Sequence, residues 1–165
     1  MTVVALMAQG VYAWDQADSS WYGAVSATAH GMTGRQSLLS GNGIALTLGY
    51  DINEPFSVEA TVGYAPLRVR GTHERVAYVP VAVDGLYHFA HWDPFDPVVF
   101  LGAGYSHCNL SVFHGDRGSF SVRAGGGFFY YFKEHFAARA TLAFFRSDDK
   151  GMLSVTASAG IGVFF

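Results

Sequence analysis

The feature that most restricts what this chain can become is its final stretch, Leu153 to Phe165. Taken alternately, Leu153, Val155, Ala157, Ala159, Ile161, Val163 and Phe165 form one row, wholly apolar. Ser154, Thr156, Ser158, Gly160, Gly162 and Phe164 form the other, small or polar until its last member. Side chains alternate faces along a strand, so this is a strand with one greasy face and one polar or tiny face. It carries no charge. At roughly 3.3 Å per residue it extends ~40 Å, more than a tilted strand needs to cross the hydrocarbon of a bilayer. A chain in which this pattern recurs is a membrane barrel.

Composition agrees with that reading. Half of the 165 residues are apolar and 14% are charged, against ~25% charged in an ordinary soluble domain. No run of ~18 apolar residues is present, which excludes a transmembrane helix. Strands that show only every other residue to lipid reconcile the two facts. The 20 glycines and 16% aromatics suit a small barrel with interfacial girdles. A net charge of −3 without a basic patch makes nucleic acid a poor partner. The single cysteine, Cys108, has no partner for an internal disulfide.

Residues 1–13 read as the back half of a secretory signal or leader. A short apolar core is followed by Val11-Tyr12-Ala13 as a cleavage site, without a basic start. Residues 14–165 are then expected to be one barrel domain. Seven further segments repeat the alternation: Trp21–Ala29, Gly43–Tyr50, Phe56–Tyr64, Val76–Phe89, Val98–Ser106, Ser119–Phe132 and Phe136–Phe145. The first is apolar on both faces, so its facing stays open. Pro80 removes a ladder donor, and a bulge is expected there. Asp51–Pro55, Ala90–Pro97 and Lys133–His135 read as short turns. The other connections, among them His30–Asn42 and His107–Gly118, read as longer polar loops, with 65–75 a loop or strand extension. Short turns at one end and longer loops at the other are the habit of outer-membrane barrels.

The aromatics give a sharper test. Tyr50, Phe56, Tyr87, Phe89, Tyr130, Phe132, Phe136 and Phe165 fall on the outward rows near the short turns, and Tyr64, Tyr105, Phe120 and Phe144 near the loops. Between them the outward residues are mainly Val, Leu, Ile and Ala, so two aromatic girdles flank an aliphatic belt. A soluble barrel would put charge on those rows and its large apolar residues inside. The charges within strands, Glu59, Asp84, Arg123 and Arg139, all fall on inward rows. An eight-stranded barrel has an interior that side chains just fill, so these four are expected to pair and close the lumen.

In order and spacing, several matches resemble the OmpA-like family of small eight-stranded outer-membrane barrels. They are Trp21-Tyr22-Gly23-Ala24, Leu48-Gly49-Tyr50, Phe56-Ser57-Val58-Glu59, Leu86-Tyr87-His88-Phe89 and Phe100-Leu101-Gly102-Ala103-Gly104-Tyr105, together with the terminal strand. The resemblance covers about residues 20–165. It implies an all-β, eight-stranded, antiparallel up-and-down transmembrane barrel in a Gram-negative outer membrane, with both termini periplasmic. It also implies contact with outer-membrane lipid and lipopolysaccharide. Assembly would run through machinery that reads a final strand ending in an aromatic, here Ile161, Val163 and Phe165. A monomer is expected. No peptidoglycan-binding segment follows in this sequence, and short loops speak against an adhesin.

Chemistry finds little support. A lipid-modifying enzyme needs a nucleophile beside a His and an acid. Ser106-His107 is the suggestive pair, but adjacent residues on a strand face opposite ways. His73, His107 and His114 could share the loop rim without the spacing of a metal site. Gly125-Gly126-Gly127 lies within a strand and is no phosphate loop. The expectation is a structural, membrane-integrity or surface-interaction protein with a filled lumen and no cofactor, metal or catalytic residue. A narrow pore and a lipid-modifying enzyme are the alternatives.

Overall fold

In the computed structural model, residues 20–33, 38–69, 75–90, 92–110, 115–147 and 153–165 are described. Eight strands run in chain order: β1 Trp21–Thr33, β2 Leu38–Asn53, β3 Phe56–Val69, β4 Arg75–His88, β5 Phe95–Leu110, β6 Gly115–Lys133, β7 Phe136–Ser147 and β8 Leu153–Phe164. Each pairs antiparallel with its neighbours, and β8 returns to β1, so the sheet is a closed barrel. Closure removes the two edges that an open eight-stranded sheet would leave exposed. At the seam, Trp21 and Phe165 exchange backbone hydrogen bonds of 3.1 and 2.9 Å.

The stagger can be followed along one line of paired residues. From Tyr22 it passes through Gly49, Glu59, Asp84, Gly102, Arg123, Phe145 and Ser154, and it re-enters β1 at Met32, ten positions beyond its start. Such a shift is the geometric counterpart of strands tilted ~35–45° to the barrel axis.

The alternation places the faces as the sequence requires. β1 turns Tyr22, Ala24, Ser26, Thr28, His30 and Met32 inward and Trp21 and Val25 outward, which settles the one strand whose facing was open. Two expectations need correction. The segments read as loops at 30–42 and 107–118 are largely strand among the described residues, because β1, β2, β5 and β6 continue well past the apolar belt; at 65–75, read as a loop or strand extension, β3 extends to Val69 and β4 begins at Arg75. Pairing needs only backbone, so polar residues extend it. Nor is there a bulge at Pro80. The β3–β4 and β4–β5 registers are the same on both sides of it, and the β3–β4 ladder omits the pairs at Gly63 and Tyr64. A side chain on Gly63 would touch the Pro80 ring, so the glycine provides the space the proline occupies. The register shifts lie instead beside two short turns, at Asp51/Asn53 and Tyr131/Lys133.

Candidate functional site

The lumen is the place where charge meets apolar surroundings, and the line of paired residues explains how its charges meet. Glu59 and Asp84 are direct cross-strand neighbours, both 1% exposed, and Arg123 lies two strands further along the same line. Two carboxylates side by side in a dry interior each require a cation. Arg139 Nη2 donates to Glu59 Oε2 at 2.5 Å, and its guanidinium lies 5.3 Å from the Phe129 ring. Arg123 Nε lies 3.0 Å from Asp84 Oδ1, close enough for an ion pair although the N–H is turned off the oxygen. Its guanidinium sits between the rings of Phe100 and Phe145, at 5.3 and 4.9 Å. The four charges picked out by alternation thus form two pairs, Glu59–Arg139 and Asp84–Arg123.

Sequence reasoning missed the residues that complete this layer. The Tyr22 hydroxyl donates to Glu59 Oε1 at 2.6 Å. Its ring lies over Gly49, where any side chain would collide with it, and Phe100 covers Gly125 in the same way. Within the glycine-rich run at 125–127, Gly125 is therefore floor space for an aromatic and Gly127 lies close against Ala140 and Thr141 of the next strand, the close-packing role a position within a strand suggests.

Toward the short turns the lumen is filled by rings. Tyr22, Phe129, Phe164, Leu86, Val98 and Ala137 form one buried cluster, and Tyr131 packs against it. Tyr22 and Phe164 stack at 4.9 Å, and Tyr22 and Phe129 meet edge to face at 5.8 Å. A polar chain runs through this cluster. His88 Nδ1 lies 2.7 Å from Asp96 Oδ2, His88 Nε2 lies 2.9 Å from Ser57 Oγ, and Tyr131 also hydrogen-bonds Asp96. Ser57, His88 and Asp96 are ordered like a nucleophile, base and orienting acid. Ser57 is 2% exposed, and the Phe129 ring of this cluster stacks on the His it meets, at 6.1 Å. A substrate carbonyl has no approach to it, and the chain satisfies buried polar groups instead. Alternation alone could have shown that Ser57, His88 and Asp96 face inward, but not that they meet, because they come from three strands.

Toward the loops the filling is small and hydroxylated. A cavity of about 50 Å³ is lined by Ser26, Thr28, Thr47, Thr61, Thr141 and Ser158, with Arg123 and Arg139 at its floor. That is room for a few waters. Arg139 Nη1 is buried without a hydrogen-bond partner among the described residues. Above it His30 bridges Thr28 and Thr156 at 2.9 and 2.8 Å, and Met32, Ala65, Leu67, Val76 and Tyr78 cap the space.

On the outside, the aromatics fall in two bands. Toward the short turns, Phe56 and Tyr87 lie 5.3 Å apart, Phe132 and Phe136 6.2 Å apart, and half-buried Tyr50 packs on Trp21 at 4.9 Å. Phe89, Tyr130 and Phe165 are exposed in the same band, and Trp92 joins them unforeseen. Toward the loops, Tyr105 and Phe120 pair at 5.0 Å, with Tyr64 and Phe144 exposed in the same band. Leu46, Leu48, Val62, Val83, Leu101, Ile161 and Val163 are exposed between the bands. Exposed apolar surface on this scale, all round the wall, is the signature of contact with lipid.

Ser106 faces inward beside Tyr78 and His107 faces outward, so they form no nucleophile–base contact. His73 and His114 lie outside the described residues. Among the described residues no group of three metal-ligating side chains occurs.

A closed eight-stranded barrel with an apolar outer belt, two aromatic bands and an ionic interior defines a transmembrane β-barrel. The family model "Outer membrane protein beta-barrel domain" matches residues 1–164, and the chain belongs to that family. No curated protein matches it in sequence. Among solved structures it is similar to Neisserial surface protein A (15% identity, covering 88% of this chain and 98% of that one, TM-score 0.75). It is similar to Ail, the attachment invasion locus protein of Yersinia pestis (18%, 90% and 99%, 0.65). It is also similar to the N-terminal β-barrel domain of Pseudomonas aeruginosa OprF (24%, 86% and 97%, 0.59). At these identities the likeness is one of fold.

Proposed function

We propose that this outer-membrane barrel is a structural protein of the membrane, serving its integrity or its surface contacts, with a lumen closed by its own side chains. The observation that carries the reading is the mid-depth layer in which Glu59–Arg139 and Asp84–Arg123 neutralise each other, backed toward the short turns by the Tyr22–Phe129–Phe164 cluster. Ions would have to separate both buried pairs and then pass packed rings. The short turns and both termini face the periplasm in this reading, and the longer connections face outward. The final strand, with Ile161, Val163 and Phe165 on its outer face, is the element the barrel-assembly machinery engages. The outer wall contacts lipid and lipopolysaccharide as a monomer.

The test is conductance of the refolded chain in planar bilayers. A silent bilayer is expected. Discrete steps in the unaltered protein would overturn the closed lumen and favour a narrow pore. An epitope placed in the 148–152 connection, reached by antibody on intact cells, tests the orientation.

A further inference from the structure

Arg68 and Arg75 are direct cross-strand partners on β3 and β4. Both are exposed, and both belong to outward rows, since their neighbours Leu67 and Val76 are buried in the lumen. Like charges directly opposed destabilise a strand pair unless something of opposite charge lies between them. Among the described residues, the ion pairs engage other groups and leave no carboxylate on either guanidinium. On the other side Arg68 is paired with Ser40, an exposed hydroxyl. The sequence joining the two arginines adds Arg70 and His73 against one acid, Glu74.

Their height is informative. Two outward positions below Arg68 is Tyr64, a member of the loop-end aromatic band. Four residues of strand amount to ~13 Å along the chain and roughly 10 Å of height at the tilt of such a barrel. That is just beyond the hydrocarbon boundary that an aromatic band marks, within reach of long arginine stems that lie along the wall. The opposite end differs in sign: among the described residues Glu54, Asp93, Lys133 and Glu134 are its exposed charges, three acids to one base.

We infer that Arg68 and Arg75 form an anion site on the outer wall that takes a phosphoryl group of lipid A in the outer leaflet. The guanidinium fork matches phosphate oxygens bidentately, and two forks across one strand pair can hold one phosphoryl from both sides. A bound phosphate also removes the repulsion that the register imposes. The inference rests on the outward orientation of the loop end proposed above.

The experiment uses the full chain refolded in zwitterionic detergent, titrated with bisphosphoryl lipid A, and reads the unfolding midpoint from heat-modified gel mobility. Lipid A is expected to raise the midpoint of the unaltered protein. The double variant Arg68→Ser/Arg75→Ser should lose most of that rise while keeping the folded gel mobility. Its midpoint without lipid should not fall, because repulsion has been removed. Arg68→Lys/Arg75→Lys should keep some of the rise, and Arg146→Ala, on the far side of the wall, should keep all of it. An equal rise in the double serine variant overturns the site. So does an equal rise with dephosphorylated lipid A, or with phosphatidylglycerol, which would mean a generic lipid or anionic surface. If the two arginines bind as expected in detergent while the 148–152 epitope is found on the periplasmic side, the orientation fails and with it the assignment to lipid A of the outer leaflet; a lost rise in the unaltered protein with the epitope outside overturns the site alone.

Discussion

Toward its short turns the lumen holds Tyr22, Phe129, Phe164, Leu86 and Val98, ring against ring. Toward its loops it holds Ser26, Thr28, Thr47, Thr61, Thr141 and Ser158 around a cavity of about 50 Å³. The two halves share one wall and one alternation, and they meet at the layer of Glu59, Asp84, Arg123 and Arg139. Large rings exclude water and lower the local dielectric, which strengthens the charge pairs they border. Small hydroxyl-bearing side chains leave a polar space large enough for water beside Arg139, whose Nη1 is buried without a hydrogen-bond partner among the described residues. The contrast shows a barrel packed dry toward its short turns and holding a small polar cavity under an apolar cap toward its loops, with the ion pairs between.

Substitutions on either side can break the contrast. The largest effect is expected from Glu59→Gln, which leaves Arg139 as an uncompensated charge beneath the rings. A loss of ~3–5 kcal/mol is expected in reversible urea unfolding in lipid vesicles. Replacing both partners, as Glu59→Gln/Arg139→Met, should recover much of it, and a double variant no better than the single would argue against direct pairing. Phe129→Ala should cost a similar or slightly smaller amount, ~3 kcal/mol or more, since it opens a cavity in the ring cluster. Gly49→Ala sets a methyl against the Tyr22 ring, and overpacking of that kind costs ~1–3 kcal/mol. The smallest effect belongs to the cavity half. Thr47→Ala removes one hydrogen bond to Thr61 where water can substitute, and a loss of about 1 kcal/mol or less is expected in the same assay. If Thr47→Ala matched Phe129→Ala, the two halves would not differ as their packing says.

How much of this the sequence carries depends on what each feature needs. The wall needs only a period of two, so the outward rows of β2 to β8 and both aromatic bands are legible from alternation. β1 is not, because Trp21, Val25 and Ala27 on one row are as apolar as Tyr22 and Ala24 on the other. Its facing is decided by partners, Tyr22 by the acceptor Glu59 and by the space over Gly49. The inward placement of the four charges is legible, but which acid meets which base is not. That depends on the ten-position stagger, a property of all eight pairings together. Strand ends are underread for a related reason: beyond the membrane belt the hydrophobic signal stops while backbone pairing continues, as at 30–33 and 107–110. Pro80 misleads because a missing N–H suggests an extra residue, whereas a glycine opposite and two omitted rungs accommodate it.

The stagger also bears on how a wall of this kind changes over generations. Gaining or losing one residue inside a strand turns every later side chain of that strand over, sending leucines inward and carboxylates into lipid. A change of two residues within the wall keeps both faces, while a single extra residue is absorbed only at an irregularity such as those beside the turns at Asp51/Asn53 and Tyr131/Lys133.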